Sequence, residues 1–256
     1  MARKELLEKI VEIREGLGEL EELAGKETEG KAERSVFFME LADASRLLAA
    51  GCGHIFHVGD VIVGKHAEAG RIAWTVIGKD MDHSPEDRKG IKPTITLLMR
   101  DVLPGFYPFS KRTPEYQWGH AHWPSSDIRA QLNGDFLGGF TAADQAAMIA
   151  VDKVTYTVDA EGGKTETTRD KLFLLSCTEA GFPACEYIKD EGAAYPYFTG
   201  DESRKKVDED GDARYWWLRS PHPGNANIVR RVDTSGALRS GGANDGYGAA
   251  AACVIG

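Results

Sequence analysis

The sequence predicts an α+β protein, with a helical segment over residues 1–50 and one compact α+β domain over 55–256. Three observations carry this. A helical stripe of apolar residues fills the N-terminus, the hydrophobic period changes near Ile55, and the segments beyond it interleave β-rich runs with two short helices. Over residues 2–23, Leu6, Leu7, Ile10, Val11, Ile13, Leu17, Leu20 and Leu23 recur at helical spacing, with Glu and Lys between them. Glu5 and Lys9 lie four apart and attract. The stripe can pack on the body or on a second copy of itself, so residues 2–23 are a candidate oligomerisation element. A polar linker follows over 24–35, then a second helix over 36–50, stopped by Gly51.

From Ile55 onward, "HIFHVGDVIVG" and "RIAWTVIGKD" are rich in β-branched and aromatic residues and broken by Gly, so they read as strands. "TITLLMRDVLPGFYPF" (94–109) reads as a strand entering a Pro-rich loop. A helix is expected over 125–140, capped by Ser125 or Ser126, with Ile128, Leu132 and Phe136 on one face. Another starts at Thr141, with Asp144 three residues on. "VDKVTYTVDA", a Gly-Gly turn and "KLFLLSCTEAGF" come next, and the charged, Gly-bounded segment 200–213 reads as a surface loop.

Composition excludes several functions. The chain has 256 residues, 42% of them hydrophobic and 28% charged, with a net charge of -9. That is a soluble composition, and its acidity argues against a nucleic-acid partner. No apolar run is long enough to insert in a membrane. The N-terminal stretch is charged and lacks a signal-peptide core, so the expectation is cytoplasmic synthesis. Cys52, Cys177, Cys185 and Cys253 show no C-x-x-C spacing and read as reduced structural thiols. His54, His57 and His66 have no convincing carboxylate beside them, and His120 and His122 fall in an aromatic, Pro-rich loop, so no metal site is assigned. Segment 78–90 is acidic but lacks a calcium-loop pattern. The motifs offer no clustered nucleophile, base and orienter, so no catalytic residue and no cofactor are assigned.

Four stretches in order, "AWTVIG" (73–78), "HWPSSDIRAQLNGDFLGGFTAADQAAM" (122–148), "DKLFLLSCTE" (170–179) and "YWWLRSP" (215–221), resemble a domain of unknown function common in gut bacteria and their prophages. Its marks are a W-x-x-S-x-x-R-x-x-L-N helix, a D-x-x-F-L-L-S strand and a W-W-L-R-S-P strand. The resemblance covers roughly residues 55–256. It implies a C-type lectin-like fold, in the branch shared with formylglycine-generating enzymes.

The tail from about 216 to 256 resembles the variable region of a diversity-generating retroelement target protein. In such proteins a reverse transcriptase randomises template adenines, so AAY codons become NNY, which cannot encode Lys, Glu, Gln, Met or Trp. Residues 1–221 hold 15 Lys, 21 Glu, 3 Gln, 5 Met and 5 Trp, whereas the 35 residues from His222 to Gly256 hold none. At the upstream rate the tail would contain about eight, against the background of ordinary usage. The resemblance implies that His222, Asn225, Asn227, Ile228, Arg231, Asp233, Arg239, Ser240, Gly241, Gly242, Asn244, Asp245 and Tyr247 are the diversified ligand contacts. Trp216, Trp217, Leu218 and Arg219 would be their scaffold. Strand neighbours face opposite ways, so one tryptophan is expected in the core and the other in a shallower site. Arg219 reads as a buried, hydrogen-bonded brace, with a ligand contact as the alternative. The segment "NIVRRVDTSGALRS" reads as a hairpin turning at Thr234-Ser235-Gly236.

The expected function is therefore ligand binding by a hypervariable surface. The ligand would be a protein or other surface molecule, met on a phage particle or on a cell surface reached without a signal peptide. Two other readings stay open: an undiversified structural or adhesion domain of the same fold, and a degenerate formylglycine-generating-type enzyme. Against the last, Cys253 stands alone near the C-terminus with no basic partner.

Overall fold

The computed structural model describes residues 39–87, 90, 92–158, 163–183 and 191–256. The helix and linker expected over 2–35 lie outside these, as does Cys185. Contacts divide the chain into Met1–Ser35 and Val36–Gly256, so the division falls well before the expected boundary at 50–55. The architecture is mixed α and β, mostly strands with few helices.

The main sheet takes β1 (Met39–Glu40), β2 (Val61–His66), β3 (Gly70–Lys79), β4 (Ile95–Met99) and β16 (Ala252–Ile255) in spatial succession. β1 pairs parallel with β2, and the later pairs are antiparallel. The far edge of β16 is shared by β9 (Leu172–Phe173) and β6 (Met148–Ile149). Being paired on both edges and covered on both faces, the C-terminal strand reads as a continuous apolar run: every residue from Ala249 to Ile255 is fully buried. Helix α1 (Leu41–Ala49) buries Leu41, Ala44, Leu47 and Leu48 and belongs to this body. Gly51 follows it with φ of 77°, the left-handed stop that glycine accepts most easily. The expected helix start at 36 is corrected by the strand at Met39–Glu40.

The motif residues turn out to be clamps between elements. Ser126, not Ser125, caps helix α2 (Asp127–Gln131), accepting the Arg129 amide at 3.3 Å. Arg129 pairs with Asp170 at 2.7 Å, and Trp123 Nε1 donates to Asp170 at 3.3 Å. Asn133 accepts the amides of Lys171 and Leu172, both at 3.1 Å, and donates to the Leu172 carbonyl at 2.7 Å. The helix motif thus grips the D-x-x-F-L-L-S segment. It is not one helix over 125–140: past Gln131 it widens into a π turn, and Gly134 takes non-helical angles. Helix α3 (Ala142–Ala147) is capped by Thr141 accepting from the Asp144 amide at 3.1 Å.

β7 (Val151–Thr157) and β8 (Lys164–Asp170) form a ribbon, and β10 (Lys206–Val207) and β11 (Ala213–Arg214) a short hairpin. The latter corrects the loop expected over 200–213, because Arg204 and Lys206 are buried there. Arg204 donates to the carbonyls of Ala180 and Gly181 and stacks 4.2 Å above Phe182. Lys206 donates to the Met99 and Arg100 carbonyls, and burial pushes its ammonium down to about 7.

The tail forms a three-stranded antiparallel sheet: β12 (Trp216–His222), β13 (Asn225–Val232) and β14 (Leu238–Gly242). Both Trp216 and Trp217 are fully buried, which corrects the expectation that one sits shallower. Strand neighbours do face opposite ways, but each side of β12 is covered. Trp216 Nε1 donates to the Arg204 carbonyl at 2.9 Å, and Trp217 Nε1 to the Tyr107 carbonyl at 2.7 Å.

Candidate functional site

Under the tail lies a buried charged network that anchors it. Between Trp217 and Pro221 the ladder to β13 is interrupted, and the Arg219 amide bonds the Leu175 carbonyl at 2.8 Å instead. Arg219 is fully buried. Its guanidinium pairs with Glu179 and donates to Thr155 Oγ1 (2.9 Å) and to the carbonyls of Leu174 (2.8 Å) and Val154 (3.1 Å). Lys153 joins Glu179 (3.0 Å) to Asp82 (2.6 Å) and the Tyr195 hydroxyl (2.8 Å). Burial alone would raise Glu179, but Arg219 and Lys153 outweigh it and hold the carboxyl below its ordinary range. Glu191, bonded to Ser220 Oγ at 2.5 Å and the Tyr156 amide at 2.9 Å, is raised by burial. Donors and acceptors this well matched make Arg219 a brace.

On this base, the expected contact positions are accessible with one exception. Asn225, Arg239 and Asp245 are exposed, and His222, Asn227, Ile228, Arg231, Ser240, Gly241, Gly242, Asn244 and Tyr247 are half-buried. Asp233 is the correction. It is 8% exposed, and its Oδ1 accepts the Ser235 amide (2.9 Å), the Ser235 hydroxyl (2.6 Å) and the Ala237 amide (3.0 Å). Its carboxylate builds the hairpin turn.

The centre of the surface is preformed. Arg231 lies 4.3 Å from the Tyr215 ring and 4.4 Å from the Tyr247 ring, and donates to the Ser240 carbonyl at 3.1 Å. Tyr247 rests edge-on against Trp217, 4.8 Å between ring centres. Gly241 makes room for this stack, since a Cβ there would lie 2.5 Å from the Tyr247 ring and 3.2 Å from Arg231 Nε.

The loop over 101–122 supplies a rim that the sequence reading did not assign. β5 (Tyr107–Pro108) pairs with β15 (Gly246–Tyr247). The loop runs on beside the tail through Ser110 N to Ala243 O (2.9 Å) and Ala121 N to Ala226 O (2.7 Å). Phe106 is 63% exposed and Trp118 57%, with Tyr116 also outward. Arg112 lies 5.1 Å from the Trp118 ring. The Asn244 amide, with its nitrogen toward the Trp118 carbonyl (2.9 Å) and its oxygen toward Arg112 (2.8 Å), ties rim to tail. The readable signal was the density of aromatics between Phe106 and Trp118 in a loop, where large apolar side chains have little core to fill.

A second constellation also escaped the motifs. His122, on the approach to a short 3-10 turn (Trp123–Ser125), has Nδ1 2.6 Å from Ser125 Oγ and Nε2 3.2 Å from Glu166 Oε2. The three face a cleft of about 330 Å³ together with Tyr116, His120, Lys164 and Ala226. Among the described residues no group of three or more His, Cys, Asp or Glu is placed to hold a metal ion. His66 is occupied by the Phe136 carbonyl (2.9 Å) and the Glu68 and Ala69 amides.

A domain of unknown function, DUF6273, matches residues 94–256. The chain belongs to this family. The matched span carries the helix clamp, its strand partner and the W-W-L-R-S-P strand, and leaves β1–β3 of the same sheet outside. No curated protein and no solved structure matches the chain. None of the described helices is long and apolar enough to cross a membrane.

Proposed function

We propose that this DUF6273 protein is a ligand-binding protein of C-type lectin-like fold, and that its C-terminal surface is diversified by a retroelement. One observation carries the reading. The span from His222 to Gly256 contains no residue that randomised AAY codons cannot encode, and its expected contact positions, Asp233 apart, remain accessible on a frame whose own side chains are buried. Such a frame tolerates variation, because exposed substitutions usually change stability by only about 0.5 kcal/mol. The binding face combines Arg231, Tyr247 and Tyr215 with the Phe106 and Trp118 rim, residue types that anchor protein interfaces. It suits a protein or other surface molecule. The formylglycine-type alternative loses support: Cys253 is fully buried in the central strand, and burial pushes its thiol up, away from the reactive thiolate.

The test is the DNA around the gene. We expect a near-copy of the segment encoding the tail, differing mainly at adenines, beside a reverse-transcriptase gene. Related copies should vary at the Asn225, Asn227, Asn244 and Tyr247 codons and hold those of Trp216 to Arg219 constant. A tail locus without template or reverse transcriptase overturns the retroelement reading.

A further inference from the structure

We propose that Ser125, His122 and Glu166 form a nucleophile, base and orienter for hydrolysis of short-chain acyl esters bound in the cleft beside the tail. The inference does not rest on diversification of the tail. His122 and Ser125 lie three residues apart in one turn, and β8 brings Glu166, 44 residues beyond His122, to meet them.

Four observations support it. The hydrogen-bond chain is continuous, at 2.6 Å from Ser125 Oγ to His122 Nδ1 and 3.2 Å from His122 Nε2 to Glu166 Oε2. A carboxylate accepts only, so Glu166 selects the tautomer with hydrogen on Nε2, which leaves Nδ1 as the acceptor for the serine proton. Ser125 is exposed and has no capping duty, because Ser126 caps the helix. The chain also opens on a cleft large enough for a small ester, walled by Tyr116, which stands edge-on to His120 at 5.0 Å. Lys164 Nζ sits 3.2 Å from Glu166 Oε1. Burial would raise Glu166, but Lys164 and His122 outweigh it and keep the carboxyl below its ordinary range, ionised at neutral pH.

The chemistry balances without a metal or redox partner. Ser125 Oγ attacks the ester carbonyl carbon as its proton passes to His122 Nδ1. The tetrahedral adduct expels the alcohol oxygen, which takes that proton, and the acyl group remains on Ser125. Water then attacks the acyl carbon, giving a proton to Nδ1. The carboxylic acid leaves as the proton returns to Ser125 Oγ. Glu166 stays ionised and holds the imidazolium between transfers. His120, lowered by burial and then by its neighbour His122, stays neutral and adds a hydrogen-bonding group to the cleft.

The test uses the full chain with a fluorophosphonate and with p-nitrophenyl acetate. We expect a single phosphonyl adduct, mapped by mass spectrometry to Ser125 and absent from Ser125→Ala. His122→Ala should slow labelling about 100-fold or more, the usual contribution of a positioned base. Glu166→Gln, a change at a positioning residue, should lower kcat for the acetate while leaving KM unchanged. All three side chains lie at the surface or are half-buried, so melting curves should show that each variant folds. No adduct at Ser125, or labelling as fast in His122→Ala as in the parent, would overturn the proposal and leave Ser125 an ordinary surface hydroxyl.

Discussion

Glu179 and Glu191 are both buried near Arg219, yet their environments drive them in opposite directions. Glu179 receives two cations and ionises more readily than usual. Its contribution is present above the ordinary value of 4.5 and is lost as pH falls through its lowered one. Glu191 faces burial with less compensation and holds its proton longer. Its contribution is present below 4.5 and is lost as pH rises through its raised value. The two Gln substitutions should therefore diverge. Glu179→Gln leaves Arg219 underpaired in the interior and should cost about 3–5 kcal/mol at pH 7. Glu191→Gln keeps an acceptor for the Tyr156 amide and removes a reluctant charge, so it should match or exceed the parent at pH 8 and lose that advantage near pH 4. Denaturant melts at the two pH values decide this. Equal destabilisation by both variants would refute it.

Among the elements, the tail hairpin is where the proposed variation meets the fold. The positions proposed to vary are not all independent, because Gly241 and Tyr247 occupy one space. Gly241→Val should destabilise by about 1–3 kcal/mol, the range for forcing added atoms into packed space. In a Tyr247→Ala background the same change should cost less, with a coupling of at least about 0.5 kcal/mol. Strict additivity in a double-mutant cycle would show that the Tyr247 ring swings away freely. The same logic explains why Asp233 is a poor place for variation: its carboxylate closes the turn by three hydrogen bonds, and Gly236 beside it, at φ of 88°, packs against the Asp201 backbone.

For the whole molecule, Val36–Gly256 forms a compact unit with its own sheet, core and charged network. A chain beginning at Val36 should melt within about 2 °C of the full chain, a shift that corresponds to only about 0.5–1 kcal/mol for a protein of this size. A drop of ten degrees or more would mean that the first 35 residues contribute to the stability of this unit. The family match begins at residue 94, but β3 lies against β4 in the same sheet. Cutting at the edge of the match would therefore strip a central pairing.

Local rules made part of this protein legible in its sequence. The Thr141 cap, the Gly51 stop, the hairpin turning through Asp233–Ala237 and the small-residue final strand are each decided within a few residues of chain. So is the tail's restricted alphabet. Tertiary structure alone decided what lies across from each element. Both tryptophans of β12 are buried because the Tyr107 loop and the Arg204 turn cover opposite sides of one strand. Arg204 and Lys206 left the surface because backbone carbonyls from distant segments receive them. His122 met Glu166 only because the β7–β8 ribbon folds back beside the Trp123 turn. Sequence spacing encodes which face a side chain takes; which partner waits on that face is settled by packing between segments far apart in the chain.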